Sequence, residues 1–214
     1  MSAIPNSDMP GHTLLHDRVV GALDRCQESQ AVEFKESAQW DDLKWAIVRT
    51  AQGMANLRDG GVIVVGLSER SPQWNFTGIS ESHLATYDVD NVISEVNSYA
   101  SPDVSLDIVT VAYRGKKFLA IQVREFSDTP IVCKKDRPTD SLEKGAVYIR
   151  PTGVPRTTKV TDATQMHDLL ELAAEKRAKR FMETARRVGI LREQDKTFTV
   201  DTDALLFKNE LEGL

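Results

Sequence analysis

Glu28, Glu33, Lys35 and Glu69 are the residues in the first third of the chain whose types and spacing could do chemistry. Glu28 stands just before a β-type stretch, Glu33 and Lys35 lie on its polar face, and Glu69 follows a second, glycine-ended stretch at Gly66. Two neighbouring strand ends can bring such carboxylates together. Clustered carboxylates bind hard divalent cations through oxygen, and those ions support hydrolysis of phosphodiesters. Glu28, Glu33 and Glu69 are therefore the candidate metal ligands for Mg²⁺ or Mn²⁺, and Lys35 is the group to neutralise a scissile phosphate. No other cofactor is implied. On spacing alone the same residues also fit solvated charges, with Lys35 simply pairing to Glu33.

A second kind of chemistry is carried by positive charge. The net charge is −5, which counts against a chain coated in basic surface, but a nucleic-acid footprint depends on local clustering. Lys134, Lys135 and Arg137 form one cluster, and Arg150, Arg156 and Lys159 a second. Lys176, Arg177, Lys179, Arg180, Arg186 and Arg187 form a third. From these, Lys134, Lys135, Arg150, Arg156, Lys159, Lys176 and Arg180 are the candidate phosphate contacts. The third cluster also fits a solvated helix face or a contact with an acidic protein surface.

The elements that must position these residues can be read from periodicity. Leu15, Val19, Leu23 and Cys26 predict a first helix over 14–26, and alternation over Ala31 to Glu36 predicts a strand with Glu33 and Lys35 on a charged outer face. Leu43, Ala46, Ile47, Thr50, Ala51, Met54 and Ala55 form one helical apolar stripe, with Asp41 or Asp42 as its cap. Asp59-Gly60-Gly61 then turns the chain into the buried strand Val62 to Gly66. Ser71 to Thr77 reads as loop, and Val89 to Tyr99 as a helix. Val104 to Tyr113 and Phe118 to Val123 make a hairpin about Arg114 to Lys117. Val147 to Arg150 is a short strand, and Asp162 with Gln165 forms a capping box for a long helix over 163–188. The tail from Thr197 to Leu214 reads as a weak strand or helix.

Several functions are excluded or disfavoured. Gly60-Gly61 leads from helix into strand, the reverse of a phosphate-binding loop, and no G-x-S-x-G occurs. Cys26 and Cys133 have no metal-ligand spacing and read as reduced thiols. The four histidines form no zinc motif. No apolar run approaches the ~18 residues of a membrane span, and Met1 to Gly11 reads as a loose tail and not a signal peptide, which gives a cytoplasmic expectation.

Together the residues match a known pattern. Glu28-x4-Glu33-Phe34-Lys35-Glu36-Ser37, an amphipathic helix, and Ala55-Asn56-x-x-Asp59-Gly60-Gly61 leading into Val62 to Gly66 resemble the Schlafen Alba-like domain. Gly78, the hairpin around Gly115, Pro130 and Tyr148-Ile149-Arg150 also resemble it, so that the likeness covers about Leu14 to Lys159. One extra residue precedes the glycine pair here. The resemblance implies an α+β fold, a small mixed sheet with packed helices, followed by a C-terminal helical extension. The corresponding boundaries are a tail over 1–13, the Alba-like domain over 14–160 and the extension over 161–214. It implies nucleic-acid binding, RNA before DNA, and a homodimer in which a second copy supplies the other half of a clasp. It also implies an alternative, a divalent-metal-dependent endoribonuclease. In that site two glutamates five residues apart, matched by Glu28 and Glu33, act with an aspartate where this chain has Ser68-Glu69. A third possibility from composition is a regulatory protein-interaction module working through the long C-terminal helix.

Overall fold

The computed structural model describes residues 13–70 and 73–190. The first elements are α1 (Thr13–Arg25), β1 (Val32–Lys35), α2 (Trp40–Ala55), β2 (Gly61–Val65), β3 (Leu67–Arg70) and β4 (Gln73–Phe76). Then come α3 (Glu81–Leu84), α4 (Val89–Tyr99), β5 (Ala100–Ser101), β6 (Leu106–Tyr113) and β7 (Lys116–Val123). The chain continues through β8 (Val132–Cys133), β9 (Tyr148–Ile149), β10 (Thr158–Lys159) and α5 (Ala163–Arg187). The protein is α+β. Its main sheet runs β1-β2-β7-β6, with β1 parallel to β2 and the other pairs antiparallel.

This sheet is covered on both faces, which is why Val62 to Val65 is an unbroken apolar run and not an alternating one. Val32, Phe34, Val62, Val64, Val109, Val111, Phe118 and Ala120 face Leu15, Val19 and Leu23 of α1. Ile63, Val65, Ile108, Leu119, Ile121 and Val123 face α2 and α4 through Ile47, Val48, Ala51, Val92 and Val96. The expected charged outer face of β1 is corrected by this arrangement. Glu33 shares the side of the sheet that α2 covers, and it is only 8% exposed.

Local deviations have identifiable causes. Helix α2 starts at Trp40 behind Gln39, which makes no side-chain cap, so Asp41 and Asp42 sit in the first turn, where they favour the positive end of the helix dipole, and do not cap. The segment expected to be loop over 71–77 contains β4, which pairs with β3 in a separate ribbon of Leu67↔Phe76 and Glu69↔Trp74 register. Asp162 caps α5 as the capping box predicts, accepting from the Gln165 amide at 2.9 Å while the Gln165 side chain accepts from Thr161 N–H at 3.1 Å. At Gly60 φ is +61° and an added Cβ would stand 2.1 Å from the Val123 carbonyl oxygen, so only glycine permits the strand β2 to begin there.

Asn56 fastens this turn to the rest of the fold. Its amide donates to the carbonyls of Ile131 (3.0 Å) and Tyr148 (2.9 Å), and its oxygen accepts from the Ile131 N–H (2.7 Å). Two compact units divide the chain, residues 1–173 and 174–214. Leu169, Leu172 and Ala173 of α5 join the core of the first unit. The described part of the second unit carries Lys176, Arg177, Lys179, Arg180, Arg186 and Arg187 on helix, with Phe181 and Met182 exposed. The sequence expectation for Thr197 to Leu214 lies outside the described residues.

Candidate nucleic-acid interface and carboxylate cavity

Glu28, Glu33, Lys35 and Glu69, separated by up to 41 positions, line one cavity of about 440 Å³ together with Phe34, Leu43, Leu67 and Trp74. The parallel pairing of β1 with β2 brings them there, because β3 follows directly from the end of β2 beside Lys35. The Lys35 amine donates to Glu33 Oε1. Glu33 Oε2 lies 2.8 Å from Arg150 Nη1. Glu28 Oε1 accepts from the Phe34 N–H at 2.8 Å. Glu69 is exposed on β3.

Arg150 is buried, 2% exposed, and every part of its guanidinium is engaged. Nε donates to the Gln30 carbonyl at 2.7 Å, Nη2 to the Ser29 carbonyl at 3.0 Å, and Nη1 to Thr157 Oγ1 at 3.4 Å besides facing Glu33. Its expected contact with a phosphate backbone is therefore corrected: it ties the 28–30 segment, β1 and the 150–157 loop together from inside. Burial pushes the Glu28 carboxyl above its ordinary value, and the neighbouring Glu33 charge adds to that. The Phe34 N–H, Lys35 and Arg150 act in the opposite direction.

The fit of a divalent ion is decided by these donors. Both oxygens of Glu33 already face a cation, and one oxygen of Glu28 is bound to backbone. An ion entering between them would meet Lys35 and Arg150 at hydrogen-bonding range. Among the described residues no set of three or more His, Cys, Asp or Glu side chains is placed to hold a metal ion. Glu28, Glu33 and Glu69 share a cavity without forming the three-carboxylate metal site that their spacing led us to expect.

The other expected basic residues are distributed over the surface. Lys134 is exposed, with Nζ 2.9 Å from the Asn97 carbonyl and 3.6 Å from Asp103. Lys135 lies over the Tyr99 ring at 5.3 Å, and Arg137 over the Trp45 ring at 3.9 Å. Lys44 approaches the same indole at 4.7 Å, and Trp45 meets Tyr99 edge-on at 5.2 Å. These contacts make a continuous layer of cations resting on two half-buried rings. Arg156 is exposed; Lys159 is exposed and paired with Glu143 at 2.8 Å. Lys176 and Arg180 lie on α5 in the second unit. Trp45 and Tyr99 were not anticipated from sequence. The available signal was that Trp45 falls outside the apolar stripe of its helix and directly follows a lysine.

The class of protein is thus an α+β domain that pairs a cation-lined carboxylate cavity with basic, aromatic-backed surface. Residues 28–155 match the family Schlafen, AlbA_2, and the chain belongs to that family. Similar solved structures include the DIP2311 protein from Corynebacterium diphtheriae, 15% identical with a TM-score of 0.47 over 72% of this chain and 28% of that one. They also include the N-terminal domain of a RecG-related protein from Nitrosomonas europaea, 17% identical with a TM-score of 0.38 over 68% of this chain and 90% of that one. The chain spans under a third of the length of the DIP2311 protein. No curated protein matches the chain in sequence. Among the described residues no helix is long and apolar enough to cross a membrane.

Proposed function

We propose that the protein binds nucleic acid, RNA in preference to DNA, through exposed basic side chains supported by aromatic rings. The observation that carries this reading is the layer of Lys44, Lys135 and Arg137 against Trp45 and Tyr99, with exposed Lys134 beside it. Cations held over rings keep their charge outward and lose little freedom when a phosphate arrives, and ring edges at the surface suit unstacked bases. Lys44, Lys134 and Arg137 have acidic neighbours at 3.5, 3.6 and 2.6 Å, so phosphate binding here is an exchange of weak surface pairs for stronger ones. Family membership supports the same reading. Arg156, Lys159, Lys176 and Arg180 are assigned as further phosphate contacts, and a cytoplasmic homodimer belongs to the same proposal.

The test is fluorescence anisotropy with labelled RNA and DNA oligonucleotides over a range of salt. Affinity should fall steeply with salt, with a slope near 0.7 per phosphate contact on a single strand. Absence of binding to either nucleic acid at low salt removes the reading. A monomeric mass at micromolar concentration removes its homodimer part.

The shared cavity favours a second reading, an endoribonuclease using Glu28, Glu33, Lys35 and Glu69, which requires that a divalent ion displace the Lys35 amine from Glu33. Structured RNA is incubated with the wild type and with Glu33→Gln, in Mg²⁺, in Mn²⁺ and in chelator. Cleavage lost in the variant supports this reading. Equal cleavage by both proteins, or none by either, sinks it.

A further inference from the structure

The loop between β6 and β7 holds only Arg114 and Gly115, because Tyr113 and Lys116 are still paired across the hairpin. Both loop residues have positive φ, 49° and 71°. This is the type I′ pattern, in which the first position favours Asn, Asp or Gly and disfavours long side chains. An arginine there opposes the local preference. A side chain held at such a position is a reason to look for what it does.

Arg114 lies over two rings, 5.2 Å from the Phe76 centroid and 5.0 Å from that of Tyr113. Lys116 reaches the Phe76 carbonyl with its amine at 2.5 Å, and Arg114 and Lys116 are both exposed. Asp24 accepts the Tyr113 hydroxyl at 2.6 Å, which fixes that ring. Phe76 lies two residues from Trp74 on one face of β4, and Trp74 meets Phe34 edge-on at 5.1 Å while lining the carboxylate cavity. Half-buried rings therefore run from the cavity that contains Lys35 to a basic hairpin tip.

We propose that this strip, Trp74–Phe76–Tyr113 with Arg114 and Lys116, is a track for a single-stranded nucleic acid. Phosphates bind Arg114 and Lys116, and unpaired bases lie against the rings. Interleaved cations and aromatics suit a single strand because every base offers a π-face, whereas a duplex keeps its faces stacked inside. The inference deepens the nucleic-acid reading and rests on it, but it concerns a different surface from the Trp45–Tyr99 layer.

Arg114→Asn separates a binding role from a structural one, since asparagine suits the turn better than arginine does. The full chain is titrated into a labelled single-stranded 12-mer, and separately into the matching duplex, for the wild type and for Arg114→Asn with Lys116→Gln. Loss of two phosphate contacts at a slope of 0.7 each corresponds to weaker single-strand binding by about 25-fold at 0.1 M salt and a log–log slope smaller by about 1.4. Thermal midpoints should be equal to the wild type or higher for Arg114→Asn alone. Unchanged affinity and slope in a wild type that does bind overturn the track and leave the broader reading standing. A lowered midpoint with unchanged binding assigns Arg114 to the fold and also overturns it. Tighter wild-type binding to the duplex than to the single strand overturns it as well. A wild type that binds neither probe at low salt removes both proposals together.

Discussion

Arg150 and Arg137 are the same residue type in the same half of the chain, yet the structure uses them in opposite ways. Arg150 is enclosed, holds two backbone carbonyls and faces a buried carboxylate. Arg137 lies on the face of an indole, within reach of solvent and beside Asp140. The difference lies in what the guanidinium has exchanged for water. Inside, every donor needs a fixed partner and the charge becomes a structural joint. Outside, a ring supports the guanidinium and only its Nε is held, by a surface pair with Asp140, so much of the charge stays available. The carboxylate cavity and the Trp45–Tyr99 layer inherit those two behaviours.

The strongest way to break this comparison is Arg150→Ala. It leaves Glu33 buried with Lys35 as its remaining cation and frees the carbonyls of Ser29 and Gln30, so a loss of about 3–5 kcal/mol is expected in urea denaturation. A loss under about 1 kcal/mol would make Arg150 no joint at all. Glu33→Gln is the milder probe of the same pair. Arg150 keeps its carbonyl acceptors and Lys35 has a route to solvent, so about 1–3 kcal/mol is expected by the same measurement. If Glu33→Gln proves the more damaging of the two, the joint is centred on the carboxylate and not on the guanidinium.

Glu28→Gln sharpens the comparison through pH. The folded Glu28 carboxyl titrates above its ordinary value of 4.5, so the folded state holds the proton more tightly than the unfolded chain does. That contribution is full below the unfolded value and is lost as pH rises through the raised folded one. The glutamine keeps an acceptor for the Phe34 N–H but carries no charge to bury. Its stability relative to the wild type should therefore rise as pH increases from 4 to 7, and a gap independent of pH would count against the burial effect. The smallest change in stability is expected for Lys134→Ala with Lys135→Ala, within about 0.5 kcal/mol, because both side chains are exposed. The same pair should weaken RNA binding and flatten its salt dependence. A stability loss larger than the binding loss would move this layer to the structural side of the comparison.

Much of the fold was legible because its signals are local. The stripe from Leu43 to Ala55, the capping box at Asp162 and Gln165, and the turn at Gly60 each follow from periodicity or a backbone requirement within a few residues. The ribbon of β3 and β4 was not legible, since Gln73–Phe76 is too short and mixed to show alternation and gains its strand character from pairing with Leu67–Arg70. At the site, the residues that share the cavity were identified, but their roles were not. Spacing can bring Glu28, Glu33 and Glu69 to one place, but it cannot show that an arginine more than a hundred positions away fills the space against Glu33. The same limit explains Asn56. It stands in the motif ahead of the glycine pair, while its partners at Ile131 and Tyr148 are visible only in three dimensions.

The bond from the Phe34 N–H to Glu28 has a consequence for assembly. Strand β1 ends the main sheet, so Val32 and Phe34 turn their peptide groups away from β2, toward where another strand would add. Ser29 pairs with Val32 in both directions, at 3.1 and 3.2 Å, and the Glu28 carboxylate occupies the amide of Phe34. The border of the sheet is thus closed by the chain's own preceding residues, as natural edge strands are often protected. A second copy, or an unfolded neighbour, cannot extend the sheet through β1 without first displacing them. Glu28 and Ser29 thus occupy the backbone groups that strand-to-strand aggregation through β1 would need, whatever else the cavity does.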